Sequence, residues 1–286
     1  MSTLTRPIRR PADTEADAPA RFRDLLAAEW IKLWSLRSTR WTLPLVYLFV
    51  IAVSVNASLA DHRNWPTYPE GRREMFHLYG PVRDAFPEAG YLLLILASAT
   101  VGALTIVGEH QSGLIRATFA AVPARRAVVA AKAAVLAGVM LAFGTMTAAT
   151  SFWVSQAILA DRGAGWSIGE PGVLRAVVAS AVLVPVCALV GMGMGALTRH
   201  AAAAVFAATT VLLLLPMVVD RDEHRGIAEL HDTLPLVAWL RLIEVHPDIV
   251  NPVPYPPTVT GAWLTFAAWS LVAALTAVTL THRRDP

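Results

Sequence analysis

The sequence predicts an all-α membrane protein that crosses the bilayer six times. Of its 286 residues, 55% are hydrophobic and only 16% are charged, and the mean hydropathy is +0.51. A soluble domain of ordinary composition carries about 25% charged residues. The hydrophobic residues are gathered in long runs, and basic residues collect on alternate segments between these runs. Both patterns are typical of a polytopic helical membrane protein.

Each of six apolar runs is long enough to form a spanning helix. Such a helix needs about 20 mostly apolar residues, and a central Asp, Lys or Arg opposes its insertion. The predicted spans are approximately 42–60, 90–108, 127–159, 173–197, 201–219 and 261–280. The third run is longer than a bilayer requires, so we expect its first residues to stand outside the hydrocarbon.

The charge distribution predicts the orientation of the chain. The N-terminal segment, the 109–126 loop with Lys132, the turn after the fourth span and the C-terminus together carry a formal balance of +8. The opposite segments carry −5. Basic residues are retained on the cytoplasmic side of a membrane. We therefore expect a cell-membrane protein with both termini in the cytoplasm, and we attribute its basic pI to topology and not to nucleic-acid binding.

The residues before the first span fall into two parts. Residues 1–20 are rich in Pro, Ala and charge and predict a disordered cytoplasmic tail. Residues 21–40 predict an amphipathic interface helix, and 41–286 form the transmembrane domain. The apolar side of the interface helix is made of Phe22, Leu26, Trp30, Leu33 and Trp34.

Glu29 lies at the edge of that apolar side and allows two interpretations. It can pair locally with Lys32 at i+3, or it can dock against another protein element. Glu109 raises a related question, because a negative charge at the C-terminus of the second span is unfavourable unless it is paired. We expect an arginine partner for Glu109, in this chain or across an interface.

The loop GEHQSGLIRATFAAVPARR, residues 108–126, is too short to fold alone yet carries apolar residues. Leu114, Ile115, Thr118 and Phe119 share one side of a short predicted helix. A solvated loop has no need of such a side, so we expect lipid or a cytoplasmic partner protein to cover it.

Two further features lie after the third span. Gly191 and Gly195 form a small-residue pattern that predicts a close helix crossing, either at a dimer seam or within the chain. Leu234 to Val245 predict a short amphipathic helix at the outer surface, or a re-entrant dip where protein covers its backbone. A metal site is a weaker alternative reading of the outer segment, with these candidate ligands: Asp220, Asp222, Glu223, His224, His231 and Asp232.

The run LLAAEWIKLWSLRSTRWTL, followed by GEHQSGLIRATFAAVPARRAVVAAKAAV, resembles actinobacterial permease subunits of ABC-2 (exporter-type) ABC transporters. The resemblance covers about residues 21–286. It implies six spans, an N-terminal elbow helix, and a short extracellular helix between the fifth and sixth spans. It also implies a dimer of two permease subunits, identical or different, with separate ATP-binding subunits that bind ATP and Mg²⁺.

In that family the loop after the second span couples the permease to its ATPase. Carried onto this chain, the coupling candidates are Glu109, Gly113, Leu114, Arg116 and Phe119. The elbow helix would contribute Glu29, Trp30 and Lys32. The resemblance implies that Gly113 allows a tight turn, and that Phe119 is an apolar anchor in a groove of the ATPase.

The resemblance implies a transport subunit that is not an enzyme and holds no cofactor itself, since the chain contains no G-x-x-x-x-G-K-[ST] phosphate loop. Its uncharged spans suit export of an apolar or amphipathic molecule, such as a drug, lipid or secondary metabolite. A non-transporting membrane scaffold or sensor is an alternative. An intramembrane enzyme is a further one, although ionisable residues are scarce at the centres of the spans.

Overall fold

The computed structural model describes residues 21–114, 118, 124–219, 224–246, 249 and 254–283. Every regular element in these ranges is helical. The first five helices are α1 (Phe22–Ser35), α2 (Arg37–Asn64), α3 (Glu70–Ala85), α4 (Glu88–Gln111) and α5 (Arg125–Ala160). The others are α6 (Val173–Thr198), α7 (Ala201–Val218), α8 (Arg225–His231), α9 (Pro235–Ile243) and α10 (Val259–Arg283).

Six helical stretches within these ranges are long and apolar enough to cross a membrane, which confirms the predicted number of spans. They correspond to α2, α4, α5, α6, α7 and α10. The second stretch also includes α3, but the charged residues of that stretch are concentrated in α3, and its apolar part lies in α4. The helices extend beyond most of the predicted spans by a few residues, since a helix continues past the hydrocarbon into the interface.

Helix α6 forms the centre of the bundle and packs against α4, α5 and α10. In its most apolar window, 72% of the residues are buried. Glycine makes this packing possible at the crossing with α4. A Cβ atom on Gly191 would lie 1.9 Å from the carbonyl oxygen of Ala99, and one on Gly102 would lie 1.8 Å from that of Ala188. The two helices therefore pack backbone to backbone.

Helix α1 differs from the predicted interface helix in its end and in its protein-facing side. It ends at Ser35, and residues from Arg37 onward already belong to α2, so the predicted boundary at residue 40 is too late. Its buried residues are Leu25, Glu29 and Leu33, spaced at i, i+4 and i+8. Phe22 and Trp30 of the predicted apolar side are about half exposed. The protein-facing side is centred on a charge, and Phe22 and Trp30 point away from the bundle, whereas Trp34 is partly buried against the core.

Helix α3 lies between the first two predicted spans, in a segment for which the sequence analysis predicted no helix. Its buried side includes Phe76, Gly80 and Val82, which pack against α5 and α2. It lies at the end of the bundle opposite α1. We call these two ends the α3 end and the α1 end.

Helix α9 confirms that the segment after the fifth span contains a short helix. Residues 234–239 are all buried, and Trp239 is fully inaccessible. The Trp239 ring stacks on Tyr91 with the ring centroids 4.8 Å apart, and its Nε1 donates a hydrogen bond of 3.0 Å to Ser180 Oγ. The helix therefore packs against both α6 and α10. Its place relative to the bilayer, at the outer surface or as a re-entrant dip, stays a prediction.

Candidate functional site

Four charged side chains meet at the α1 end, where α1, α4 and α5 come together. Glu29 and Lys32 come from α1, Glu109 from α4 and Lys132 from α5. We call these residues the charge cluster. Glu29 is 3% exposed, Lys132 6% and Glu109 9%. Two carboxylates and two ammonium groups give the charge cluster a formal charge of zero, which is the condition under which buried charges are tolerated.

Lys132 is the centre of the charge cluster. Its Nζ donates one hydrogen bond to Glu29 Oε2 and another, of 2.8 Å, to Glu109 Oε1. Glu29 and Glu109 are thereby joined through one ammonium group, although they lie on different helices. Charge-assisted hydrogen bonds of this kind are stronger than neutral ones. Lys132 therefore ties the N-terminal helix to two membrane-spanning helices.

Lys32 closes the charge cluster from its more exposed side. Its Nζ lies 2.7 Å from Glu29 Oε1 and 3.2 Å from Glu109 Oε1. Burial disfavours the charged form of Lys32, but its hydrogen bond to Glu29 and the charges of Glu109 and Glu29 outweigh burial and raise its pKa. The Lys32 ammonium group is therefore charged at neutral pH, and each glutamate has two cationic neighbours.

The local sequence explains how these side chains reach one another. Glu29 lies at the middle of the Leu25–Glu29–Leu33 stripe, so packing of the two leucines brings its carboxylate to the bundle. Glu109 is in the last turn of α4, where the helix dipole disfavours an anion, and the two lysines offset this. Lys132 lies two turns into α5, with Val128, Val129 and Ala131 buried beside it.

A cavity of about 230 Å³ adjoins the charge cluster. Its apolar wall comes from all three helices and from the residues that follow α1 and α4. The lining side chains outside the charge cluster include Leu33, Leu36, Leu104, Leu114 and Leu136. The cavity therefore connects the buried charges with the beginning of the loop between α4 and α5.

Both glutamates of the charge cluster have partners on other helices. Among the described residues, the partners of Glu109 are Lys132 and Lys32, and the arginine partner expected in this chain or across an interface stays a prediction. The two interpretations of Glu29 both apply. It pairs with Lys32 within α1, and it also docks on another element through Lys132. An ammonium group suits this position because it can donate to several carboxylate oxygens from one point.

The predicted coupling residues lie next to the charge cluster or outside the described ranges. Gly113 follows the end of α4 and has a φ of 71°, in the left-handed region that favours glycine. Leu114 is 45% exposed and lines the cavity. Arg116 and Phe119 lie outside the described residues. The coupling role of these residues stays a prediction.

The remaining predicted elbow and packing residues have clear positions. Trp30 is 52% exposed and packs against Trp34 with the ring centroids 5.9 Å apart. Gly191 and Gly195 face α4 of the same chain, and a Cβ on Gly195 would lie 2.9 Å from the carbonyl oxygen of Ala103. The structure therefore places both glycines in a helix crossing within the chain, which is one of the two predicted roles of this pattern.

The metal alternative receives no support from the described ranges, in which no group of three or more His, Cys, Asp and Glu side chains is placed to hold an ion. His231 Nδ1 lies 3.9 Å from Asp232 Oδ1, and its Nε2 is 3.2 Å from the carbonyl oxygen of Pro216. Asp220, Asp222 and Glu223 lie outside the described residues.

Lys132 is the member of the charge cluster to which sequence reasoning assigned no role. A usable signal was present, since Lys132 lies within an otherwise apolar helix start, VVAAKAAV. An ionisable residue inside such a run needs a partner of opposite charge. The unpaired Glu29 and Glu109 on the same predicted side of the membrane were the available partners.

Comparisons with known proteins add no identification. Neither a scan against protein-family models nor a search of curated proteins gives a match to this chain.

Proposed function

We propose that this chain is the membrane-spanning permease subunit of an ATP-driven exporter of the ABC-2 type. The single observation that carries the proposal is the charge cluster. It joins α1 to α4 and α5 at the base of the loop between α4 and α5. In a permease of this class, force from a cytoplasmic ATPase enters through this loop and must reach the spanning helices. The charge cluster provides a stiff connection at that point.

The proposed path of force has three steps. A cytoplasmic ATPase presses on the loop that follows Gly113. The loop continues directly into α4 on one side and α5 on the other, and Glu109 and Lys132 lock these two helix ends together. Glu29 then transmits the movement to α1. Because the three helix ends are linked by buried charged groups, they move as one body.

The proposal includes an orientation, a partner and a substrate class. The α1 end faces the cytoplasm, as the basic balance on that side predicts. A second permease subunit, identical or different, completes the transport pathway, and a separate subunit binds ATP. The exported substrate is apolar or amphipathic, since the spans provide chiefly Ala, Leu, Val and Thr side chains. In this reading the chain itself carries out no covalent chemistry.

A non-transporting scaffold or sensor is the second candidate. It accounts for six spans, but it gives no reason for exposed Leu114 to lie on a loop whose base is fixed by buried charges. An enzyme reading has less support, because the four groups of the charge cluster neutralise one another and are not free to act as acid or base.

The test is to purify the protein in mild detergent from its native membrane and to measure the Mg-ATP hydrolysis that accompanies it. Leu114→Asp and Phe119→Asp both place a charge on the loop, and we expect each to remove the ATPase activity and the subunit that carries it. Leu230→Asp is a matched control, because Leu230 is 64% exposed on α8 at the other end of the bundle. We expect this control to retain both.

Two outcomes would count against the proposal. If wild-type protein carries no ATP-binding subunit under several gentle conditions, the scaffold reading replaces it. If Leu114→Asp, Phe119→Asp and Leu230→Asp all retain the ATPase, the permease assignment stands but the loop is not the docking element.

A further inference from the structure

A second group of acidic side chains lies at the α3 end, far from the charge cluster. A cavity of about 790 Å³ is enclosed there by α2, α3, the start of α4 and α9. Much of its wall is apolar and aromatic, including Phe76, Tyr79, Phe86 and Trp239. Two aspartates, Asp61 of α2 and Asp84 of α3, also belong to the wall.

Asp84 is an unusual residue in this position. It is only 4% exposed, and within the described residues its Oδ2 is shielded from solvent and accepts no hydrogen bond. Ser54 Oγ donates to the backbone carbonyl of Asp84 at 2.9 Å, which holds the backbone of α3 against α2. Asp61 of α2 lines the same cavity, and its carboxyl group interacts electrostatically with that of Asp84. Two carboxyl groups therefore share this wall, and that of Asp84 is buried while that of Asp61 is partly exposed.

Asp61 already has a donor of its own. The Tyr68 hydroxyl donates a hydrogen bond to Asp61 Oδ1. Burial, together with the hydrogen bond to Asp61 and its charge, raises the pKa of Tyr68, so this phenol remains a donor at neutral pH. Asp61 is thus the partnered carboxyl group of the two, and Asp84 is the one with an oxygen atom that has no donor among the described residues.

Asp84 is suited to be the protonated member. An ionised Asp84 would be buried, close to a second carboxylate, and in the last turn of α3, where the helix dipole disfavours an anion. A protonated Asp84 removes all three penalties. Its O–H can donate to Asp61, which satisfies the atom that otherwise has no partner.

The other charged groups near Asp61 and Asp84 do not neutralise the two carboxyl groups in place of a proton. The cationic groups on the cavity wall are Arg72, whose guanidinium lies 4.1 Å from the centroid of the Tyr68 ring, and Arg83, which lies 5.8 Å from that of Tyr79. Arg83 favours ionisation of Asp84, but it is an exposed residue. The wall contains two further acidic groups, Glu88 of α4 and Glu244, which directly follows α9.

Helix α5 also packs against α3, and it presents a neutral group. Gln156 Nε2 donates a hydrogen bond of 2.9 Å to the carbonyl oxygen of Pro81. The wall of the cavity therefore carries four acidic and two basic side chains, which favours retention of the proton.

We propose that Asp61 and Asp84 form a proton-binding site, in which one proton shared between the two carboxyl groups fastens α3 to α2 at the cavity. Release of this proton to solvent at higher pH leaves a buried carboxylate on Asp84 facing a partly exposed one on Asp61. Their repulsion moves α3 away from α2 and widens the cavity. The inference does not depend on the ATPase partner, so it stands or falls separately from the proposed transport function.

The first experiment detects the proton in the wild-type protein. Infrared spectra of the full-length chain in detergent, with and without ¹³C-labelled aspartate, are recorded as the pH is raised. We expect a carbonyl band of a protonated carboxylic acid that shifts with the label near neutral pH and disappears in alkaline solution. Absence of such a band near neutral pH overturns the proposal, and this test requires no substitution.

The second experiment assigns the proton to this pair. The folded state binds a proton that the unfolded chain releases, so the unfolding temperature of the wild type must fall as the pH rises. Asp84→Asn replaces the O–H with an amide N–H donor, and we expect it to lose the infrared band and this pH dependence. Glu88→Gln, a control on the exposed side of the cavity, should keep both. A pH dependence in Asp84→Asn equal to that of the wild type overturns the proposal.

Discussion

Lys132 holds together side chains from three helices, and removing it does not simply delete one contact. Its Nζ contacts both Glu29 and Glu109, which are themselves almost fully buried. Taking away one partner of a buried ion pair leaves an uncompensated charge, which is worse for stability than replacing the whole pair with apolar groups. The charge cluster therefore makes the position of α1 depend on one side chain of α5.

Replacing Lys132 with methionine should destabilise the protein strongly. The chain keeps its volume, but two buried carboxylates then share only Lys32, and breaking a buried pair in this way costs about 3–5 kcal/mol. The measurement is chemical unfolding of the purified protein in detergent. We expect Lys32→Met to have a smaller effect, because the Lys32 side chain is 28% exposed and water can partly replace it.

A double variant provides the decisive comparison for the charge cluster. Glu29→Gln combined with Lys132→Met removes one charge of each sign and leaves the Lys32–Glu109 pair neutral overall. Its loss of stability should be smaller than the sum of the two single losses. If the losses are additive, the charges do not interact as the distances indicate.

At the scale of elements, the crossing of α4 and α6 is possible because the glycines at the crossing have no side chain. Gly191 lies against the backbone of Ala99, and even a methyl group at this position would lie 1.9 Å from a carbonyl oxygen. Backbone atoms cannot move aside as a flexible side chain can. This close contact between the two helices thus depends on glycine and not on the apolar character of the residues.

Gly191→Ala should push α4 and α6 apart and lower the stability by about 1–3 kcal/mol, the usual range for overpacking. Gly138→Ala is a matched control. Gly138 is also a helical glycine, but a Cβ there meets nothing within 4 Å. This change should be neutral or stabilise α5 by about 0.5–1 kcal/mol, because alanine favours helix more than glycine does. Thermal unfolding of both variants checks the prediction, and equal shifts would contradict it.

Elements of two kinds differ in how well the sequence predicts them. Spanning helices such as α6 follow from hydropathy alone, because lipid imposes a helix on any long apolar run. Helix α3 was missed because its charged residues and Pro81 indicate a loop, whereas its packing against α5 is a tertiary effect. The same limit applies to the charge cluster. Charged residues were recognised at Glu29 and Glu109, but their meeting through Lys132 depends on how three helices pack.

At the scale of the whole molecule, the two ends of the bundle differ in charge and in construction. The segments at the α1 end have a balance of +8, and those at the α3 end have −5. The α1 end gathers its buried charges into a neutral group, whereas the α3 end holds a pair of acids beside a cavity. A difference of this size should determine which end stays inside the cell.

Cysteine labelling on intact cells tests this orientation. The native Cys187 is fully buried within α6, so it should not react and can remain in place. Ser112→Cys marks the α1 end and Ser167→Cys the α3 end, at positions that are both exposed. A membrane-impermeant maleimide should label the Ser167→Cys variant on intact cells, and the Ser112→Cys variant only after permeabilisation. The unsubstituted chain is the control for background reaction. Labelling in the reverse order would place the loop between α4 and α5 outside the cell, where no ATPase could reach it, and would remove the basis of the permease proposal.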